Sequence, residues 1–220
     1  MKLVLLVAVM LAFPASAGAT RVLFVGNSLT EANALPAMVA QLVPLDVDAR
    51  VVGGYALEDH WRTTDIADVI ANGRYDVVVL QQGPSSLPES RVNLTEWSKT
   101  YADAIRAAGG KPALYTVWPE SWRRSAFDAV IYSYRAAARE AGGLLLPASA
   151  AWKSVLRTNP KIALYGPDGF HPTRAGTYLA ALTIAGGLTG RSPVSMSLIG
   201  FSPRVAGVLQ LAANAALRSR

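Results

Sequence analysis

Five short apolar, β-branched runs recur along the chain, at Arg21–Val25, Asp48–Val52, Asp76–Leu80, Ala113–Val117 and Gly143–Leu146. Each is as long as a buried strand and too short for a helix of ordinary length. The segments between them carry helical periodicity: Leu35–Val43, Glu58–Ala71, Leu94–Ala108, Phe127–Ala141 and Thr173–Gly187, with Arg204–Leu217 closing the chain. Consecutive parallel strands need a crossover, and a helix is the usual one. The alternation therefore predicts an α/β domain with a five-stranded parallel sheet and helices on both faces. No internal repeat, low-complexity tract or linker interrupts it, so residues 20–220 are expected to form one domain.

The first 19 residues differ from the rest. Lys2 precedes the apolar run Leu3–Phe13, and Ala15-Ser16-Ala17 and Ala17-Gly18-Ala19 are overlapping small-x-small cleavage patterns. This is the form of an export signal, and the run is short for a membrane span. The mature protein is expected to begin near Gly18 or Thr20, to work in the periplasm or outside the cell, and to keep no stable membrane span. A hydrophobic content of 51% with only 16% charged residues excludes a disordered chain. The formal charge of +6 is spread singly and in pairs, with no basic run or stripe, so nucleic acid is not an expected partner. Cysteine is absent, which excludes disulfides, thiol nucleophiles and thiolate metal sites. Two histidines, His60 and His171, leave little for a metal centre, and neither a metal nor an organic cofactor is expected.

In an open α/β sheet, ligands bind beyond the carboxyl ends of the strands. The unusual residues of this chain fall there: Ser28 after the first strand, Gly53-Gly54 after the second, Gln81-Gln82-Gly83-Pro84-Ser85 after the third and Trp118-Pro119-Glu120 after the fourth. Ser28 has two readings. With Glu31 it fits a helix-starting capping box, and at a strand end it is a candidate nucleophile. Trp118 is a candidate wall of a substrate pocket, although packing is the commoner role for a tryptophan.

The stretch YGPDGFHPTRAGTY at 165–178 supplies possible partners for Ser28. Pro172 disfavours helical backbone at His171 and suits the first position of the helix that follows, while Asp168-Gly169 signals a turn. A carboxylate three residues from a histidine in one constrained loop can accept from one ring nitrogen. The other nitrogen is then free to take a hydroxyl proton. Helix capping by this segment is the competing reading. His60, among charged neighbours on a helical pattern, is expected at the surface or half-buried.

The sequence resembles the SGNH hydrolases, also called GDSL-type esterases and lipases. Gly26-Asn27-Ser28-Leu29-Thr30 looks like the family's first block, and Asp168-Gly169-Phe170-His171-Pro172 looks like its last block, Asp-x-x-His-Pro. The resemblance spans Arg21 to about Gly190. It implies a flavodoxin-like three-layer sandwich and a Ser28–His171–Asp168 triad that hydrolyses carboxylic esters, with small-molecule or carbohydrate esters as substrates. It also implies an oxyanion hole built from the backbone N–H groups of Ser28 and of Gly53 or Gly54. The family's third block, Gly-x-Asn-Asp, is altered: Gly83 matches its glycine, but Ser85 stands where the asparagine donor belongs. Gln82, Gln81 and Ser85 are the candidate replacements, in that order of preference. The same triad would also serve an acyltransferase acting on an envelope polysaccharide, and a chain that had lost catalysis could bind carbohydrate on the same fold. Oligomeric state does not follow from these residues.

Overall fold

The computed structural model describes residues 19–219. The export-signal expectation for residues 1–19 therefore falls almost entirely outside the described residues. Five strands form one parallel sheet: β1 Thr20–Gly26, β2 Leu45–Val51, β3 Val77–Leu80, β4 Lys111–Tyr115 and β5 Leu144–Leu146. Their spatial order is β2-β1-β3-β4-β5. The chain starts in the middle, moves to one edge, then crosses back to build the other half, which is the flavodoxin-like order. The direction of travel reverses between β1 and β3, so the segments leaving these two neighbours diverge and open a crevice at their carboxyl ends.

Burial follows the pairing. Val22, Leu23, Phe24 and Val25 of β1 are all inaccessible, as are Leu80 of β3 and Leu114 of β4, because helices cover both sheet faces. Edge strand β2 is only half-buried, and its charged residues Asp46 and Asp48 pair with Arg21. Charge on an edge strand discourages pairing with another chain. Helices α2 (Leu35–Leu42) and α8 (Arg174–Thr189) pack together, and α7 (Ala148–Thr158) and α9 (Pro203–Arg218) pack against α8. Helices α4 (Ile66–Gly73), α5 (Pro88–Ala107) and α6 (Phe127–Glu140) form the other layer.

Three local expectations are corrected. The single helical pattern Glu58–Ala71 is two helices, α3 (Leu57–Thr63) and α4. Thr64 between them is extended, and its hydroxyl donates to the His60 carbonyl and accepts from the Ile66 N–H, which satisfies one backbone group on each side of the break. Helix α7 has no counterpart in the sequence pattern. Pro172 does not open α8: Thr173 caps that helix by accepting from the Gly176 N–H, while Pro172 bridges to Tyr165.

Candidate active site

The turn after β1 is built around Asn27. Its side-chain oxygen accepts from the Leu29 N–H, so Asn27 is the N-cap of a one-turn helix, α1 (Ser28–Glu31). The expected Ser28/Glu31 capping box is thus corrected by one position. With Asn27 doing the capping, the Ser28 hydroxyl is not tied to the helix end. Ser28 is the first residue of the helix, where a backbone N–H has no intrahelical acceptor. Gly26 has to be glycine here, because a Cβ would collide with the Gln81 side-chain oxygen and the Thr30 hydroxyl.

The loop carrying His171 is tightly specified. One carboxylate oxygen of Asp168 accepts from the backbone N–H groups of Phe170 and His171, both at 3.0 Å. The other receives His171 Nδ1–H at 2.5 Å. These bonds, the imidazole first, hold the Asp168 carboxyl at a pKa of about 2, so the group stays ionised. With the Nδ1 proton fixed, Nε2 is an acceptor, and it lies 2.8 Å from Ser28 Oγ. Asp168, His171 and Ser28, expected from sequence, are therefore joined in one hydrogen-bonded relay. Both His171 and Asp168 are about half-exposed, so water reaches them.

Trp118 supports this loop from behind. It is inaccessible to solvent, stacks on Trp152 with ring centroids 3.5 Å apart, and donates its indole N–H to the Phe170 carbonyl at 2.9 Å. Of the two readings of Trp118, the structure matches packing, the commoner role: the ring lies under the histidine loop, where its one polar atom has found a partner. Asn33 makes a second tie, donating to the Pro172 carbonyl and the Thr177 hydroxyl. Sequence reading missed this residue. The signal available was weak: Asn33 adopts φ +53°, and asparagine tolerates that conformation better than most residues.

Gly53 and Gly54 follow β2, where the Tyr55 N–H closes a turn onto the Val52 carbonyl. Gly54 has φ +79° and lines a cavity of about 650 Å³ beside Ser28, whereas Gly53 does not line it. Asn27 Nδ2 donates to the Tyr55 carbonyl, tying the glycine turn to the serine turn.

The two glutamines after β3 have separate surroundings, as strand alternation requires. Gln81 is buried and spent: its oxygen accepts from the Asn27 N–H and the Thr30 hydroxyl, and its amide donates to Asn27 Oδ1 and the Gln82 carbonyl. Gln82 lines the cavity. Its oxygen accepts from the Leu57 N–H, and a backbone donor leaves no choice of sense, so Nε2 faces Ser85 Oγ at 3.0 Å and Asn93 Oδ1 at 3.4 Å. Ser85 donates to the Gly83 carbonyl. The Tyr134 hydroxyl donates to the Gln82 and Gly83 carbonyls and fixes this loop.

His60 corrects a further expectation. It is 1% exposed, and Nε2 lies 2.8 Å from the Gly26 carbonyl, to which it donates. Burial pushes its pKa down, so the ring is neutral and its tautomer is set by Gly26.

No family model matches the chain, and no curated protein matches it. Solved structures do. The chain is similar to a candidate SGNH hydrolase from Slackia heliotrinireducens, with 29% identity and a TM-score of 0.69, over 78% of this chain and 100% of the other. It is also similar to a DUF4886 family protein from Bacteroides uniformis, with 18% identity and a TM-score of 0.75, over 91% and 95% of the two chains. A lipase/acylhydrolase from Enterococcus faecalis matches with 16% identity and a TM-score of 0.62, over 80% and 97%. The latter two carry the fold alone. Taken with the two sequence blocks and the sheet order, the first likeness supports the resemblance of this chain to the SGNH hydrolases, the GDSL-type serine hydrolases.

Proposed function

We propose that the protein is an exported esterase in which Ser28, His171 and Asp168 act as a catalytic triad on carboxylic esters. The observation that carries this reading is the unbroken relay from Asp168 through both ring nitrogens of His171 to Ser28 Oγ. In the first half-reaction Ser28 Oγ attacks the ester carbonyl carbon while Nε2 of His171 takes the hydroxyl proton. Asp168, ionised and hydrogen-bonded to Nδ1–H, stabilises the imidazolium. Collapse of the tetrahedral intermediate breaks the carbon–alkoxide bond, and His171 returns its proton to the departing alcohol. Water then attacks the acyl-enzyme, again giving a proton to His171, and the carboxylic acid leaves as Ser28 recovers its hydrogen.

Charge on the carbonyl oxygen needs donors set in place before the reaction. The Ser28 N–H at the start of α1 is one. Gly54, which lines the cavity, is favoured over Gly53 for the second. Gln82 is favoured for the third, because it lines the cavity, which Gln81 does not, and one of its two amide protons rests on a long 3.4 Å bond to Asn93 Oδ1 that an oxyanion could replace. The relay also favours catalysis over a purely binding role, since binding alone calls for no Ser–His–Asp alignment.

Hydrolysis of p-nitrophenyl acetate tests the reading. Ser28→Ala and His171→Ala should each reduce kcat by about 10⁴-fold or more while leaving the circular dichroism spectrum unchanged. Full activity in the folded Ser28→Ala protein would refute it.

A further inference from the structure

The carbonyl oxygen of Gly26 receives two donors, and they come from the two ends of one short segment. The Val52 N–H reaches it at 3.1 Å, and the His60 imidazole at 2.8 Å. Between Val52 and His60 lie the Gly53-Gly54 turn, Tyr55 and the start of α3. On the other side of the same peptide unit, the Asn27 N–H donates to Gln81 Oε1 at 3.0 Å. The peptide plane that leads from β1 into the Ser28 turn is thus held at both of its polar atoms. Asn27 Nδ2 donates to the Tyr55 carbonyl, which joins the serine turn and the glycine turn a second time.

His60 is poorly placed to move a proton. It is 1% exposed, and its Nδ1 meets no hydrogen-bond partner among the described residues. Its neighbour Asp59 turns a carboxylate oxygen to the Ala56 N–H at 2.8 Å, and Tyr55 offers the imidazole a ring packed edge-on, with centroids 5.3 Å apart. The ring therefore has no carboxylate partner of the kind that Asp168 gives His171. Packing does not account for an imidazole here either. Burying Nδ1 without a partner costs free energy. An aliphatic side chain of similar size would fill the space without that cost, and the Gly26 carbonyl would keep the Val52 N–H. What the imidazole adds is its bond to Gly26.

We propose that His60 is a positioning residue that acts through the Gly26 carbonyl to hold the Ser28 turn and the Gly54 turn at a fixed separation. This rests on the reading of Ser28 as the nucleophile, with its N–H and that of Gly54 receiving the oxyanion. Those two N–H groups follow different strands, so their spacing is set within neither turn. Oxyanion donors act only if they are in place before charge develops, and a displacement of about 1 Å costs on the order of 10²-fold in rate. His60 does not line the cavity; Tyr55, which packs on it, does.

The test uses His60→Leu, which removes the bond, and His60→Gln, whose amide nitrogen can replace Nε2–H as the donor to Gly26. With p-nitrophenyl acetate, His60→Leu should lower kcat by about ten- to a hundredfold with KM within a few-fold of wild type, and His60→Gln should recover most of the loss. His60→Asn, whose amide is too short to reach the carbonyl, should resemble His60→Leu and takes its place if that variant does not fold. The pH midpoint of kcat/KM should be the same in all these proteins, because His171 and Asp168 are untouched. Amide hydrogen exchange at Asn27 and Val52, followed by NMR, should be faster in His60→Leu and close to wild type in His60→Gln. A folded His60→Leu enzyme with kcat within a few-fold of wild type would overturn the inference, as would a glutamine variant no better than leucine. A shifted pH midpoint would overturn it too, by showing that His60 takes part in proton transfer. If the wild type cleaves no ester, the esterase reading fails separately. The exchange comparison then decides, and equal exchange at Asn27 and Val52 in wild type and His60→Leu would overturn the positioning role.

Discussion

At the scale of single residues, the site depends on which polar atoms are committed and which are left over. Asp168 is the clearest case. Its pKa, lowered from 3.8 to about 2 chiefly by the His171 hydrogen bond, is a depressed carboxylate value, so the stabilisation it contributes is present above about pH 4 and is lost as pH falls through about 2. The difference in urea midpoint between wild type and Asp168→Asn should accordingly be constant from pH 7 to about pH 5 and shrink below pH 4. A gap that stays constant to pH 2 would mean that the carboxylate does not titrate as the geometry requires. The glutamines make a second contrast. Gln81→Ala removes the partner of two buried donors on Asn27 and Thr30, and should cost about 1–3 kcal/mol of stability. Gln82→Ala should leave stability closer to wild type and lower kcat on an activated ester by about 10²–10³, the usual loss of one oxyanion donor. Thermal melts and kcat measured on the same two preparations separate these roles. A Gln82→Ala enzyme within a few-fold of wild type would leave an oxyanion hole made from backbone alone. Neither glutamine's assignment was legible in QQGPSS, because the sense and freedom of an amide depend on the Asn27, Thr30 and Leu57 groups that face it.

At the scale of elements, the site is the meeting of turns that follow different strands, and the ties between turns set its precision. Asn33, in the kink between α1 and α2, joins the nucleophile's segment to the Pro172 carbonyl and to Thr177 at the start of α8. Loss of this tie should misplace His171 relative to Ser28 while leaving both in reach. Asn33→Ala removes two hydrogen bonds and puts alanine at a positive φ, with an expected stability cost of about 2 kcal/mol. It should lower kcat by about tenfold with little change in KM, and Asn33→Asp, which keeps the tolerated backbone but loses the donor, should do the same with a smaller loss of stability. A fall in melting temperature with kcat unaltered in both variants would make Asn33 structural only. Helix α7 shows why an element can be invisible in sequence. Its N-cap position is Pro147 with no capping side chain, and the Thr116 hydroxyl at the end of β4 accepts from the Ser149 N–H instead. The start signal of that helix is written 33 residues earlier, on another strand.

At the scale of the molecule, the strand order places β1 and β3 side by side in the centre, so the Ser28 turn and the Gln81–Ser85 loop leave neighbouring strands and flank one crevice. Among the described residues no helix is long and apolar enough to cross a membrane. The proposal of export rests on residues 1–19, and β1 begins directly after them at Thr20. Cleavage there would free the domain without removing a core residue. Intact mass of the protein recovered from the periplasm or medium should correspond to a start at Gly18 or Thr20. A product retaining Met1 in the membrane fraction would contradict that proposal.

What the sequence by itself determined is what short-range chemistry dictates. Strand-length apolar runs alternating with helical periods require a parallel sheet covered on both faces, and Asp168 and His171, three residues apart beside Pro172, were confined to one loop wherever that loop was placed. Ser28 at a strand end was legible as a candidate, and the last block, Asp168 to Pro172, made it more than a capping residue. Tertiary structure decided the rest. It put Trp118 under the histidine loop instead of in the cavity, buried His60 beneath Gly26, split the 58–71 helix, and consumed the amide protons of Gln81 on the Asn27 turn while leaving Gln82 on the cavity wall, bonded to Ser85 and Asn93. Each of those outcomes turns on a partner brought close by packing from elsewhere in the chain, and a hydrogen bond's worth depends on whether its atoms are buried and already paired, which no local pattern of residues encodes.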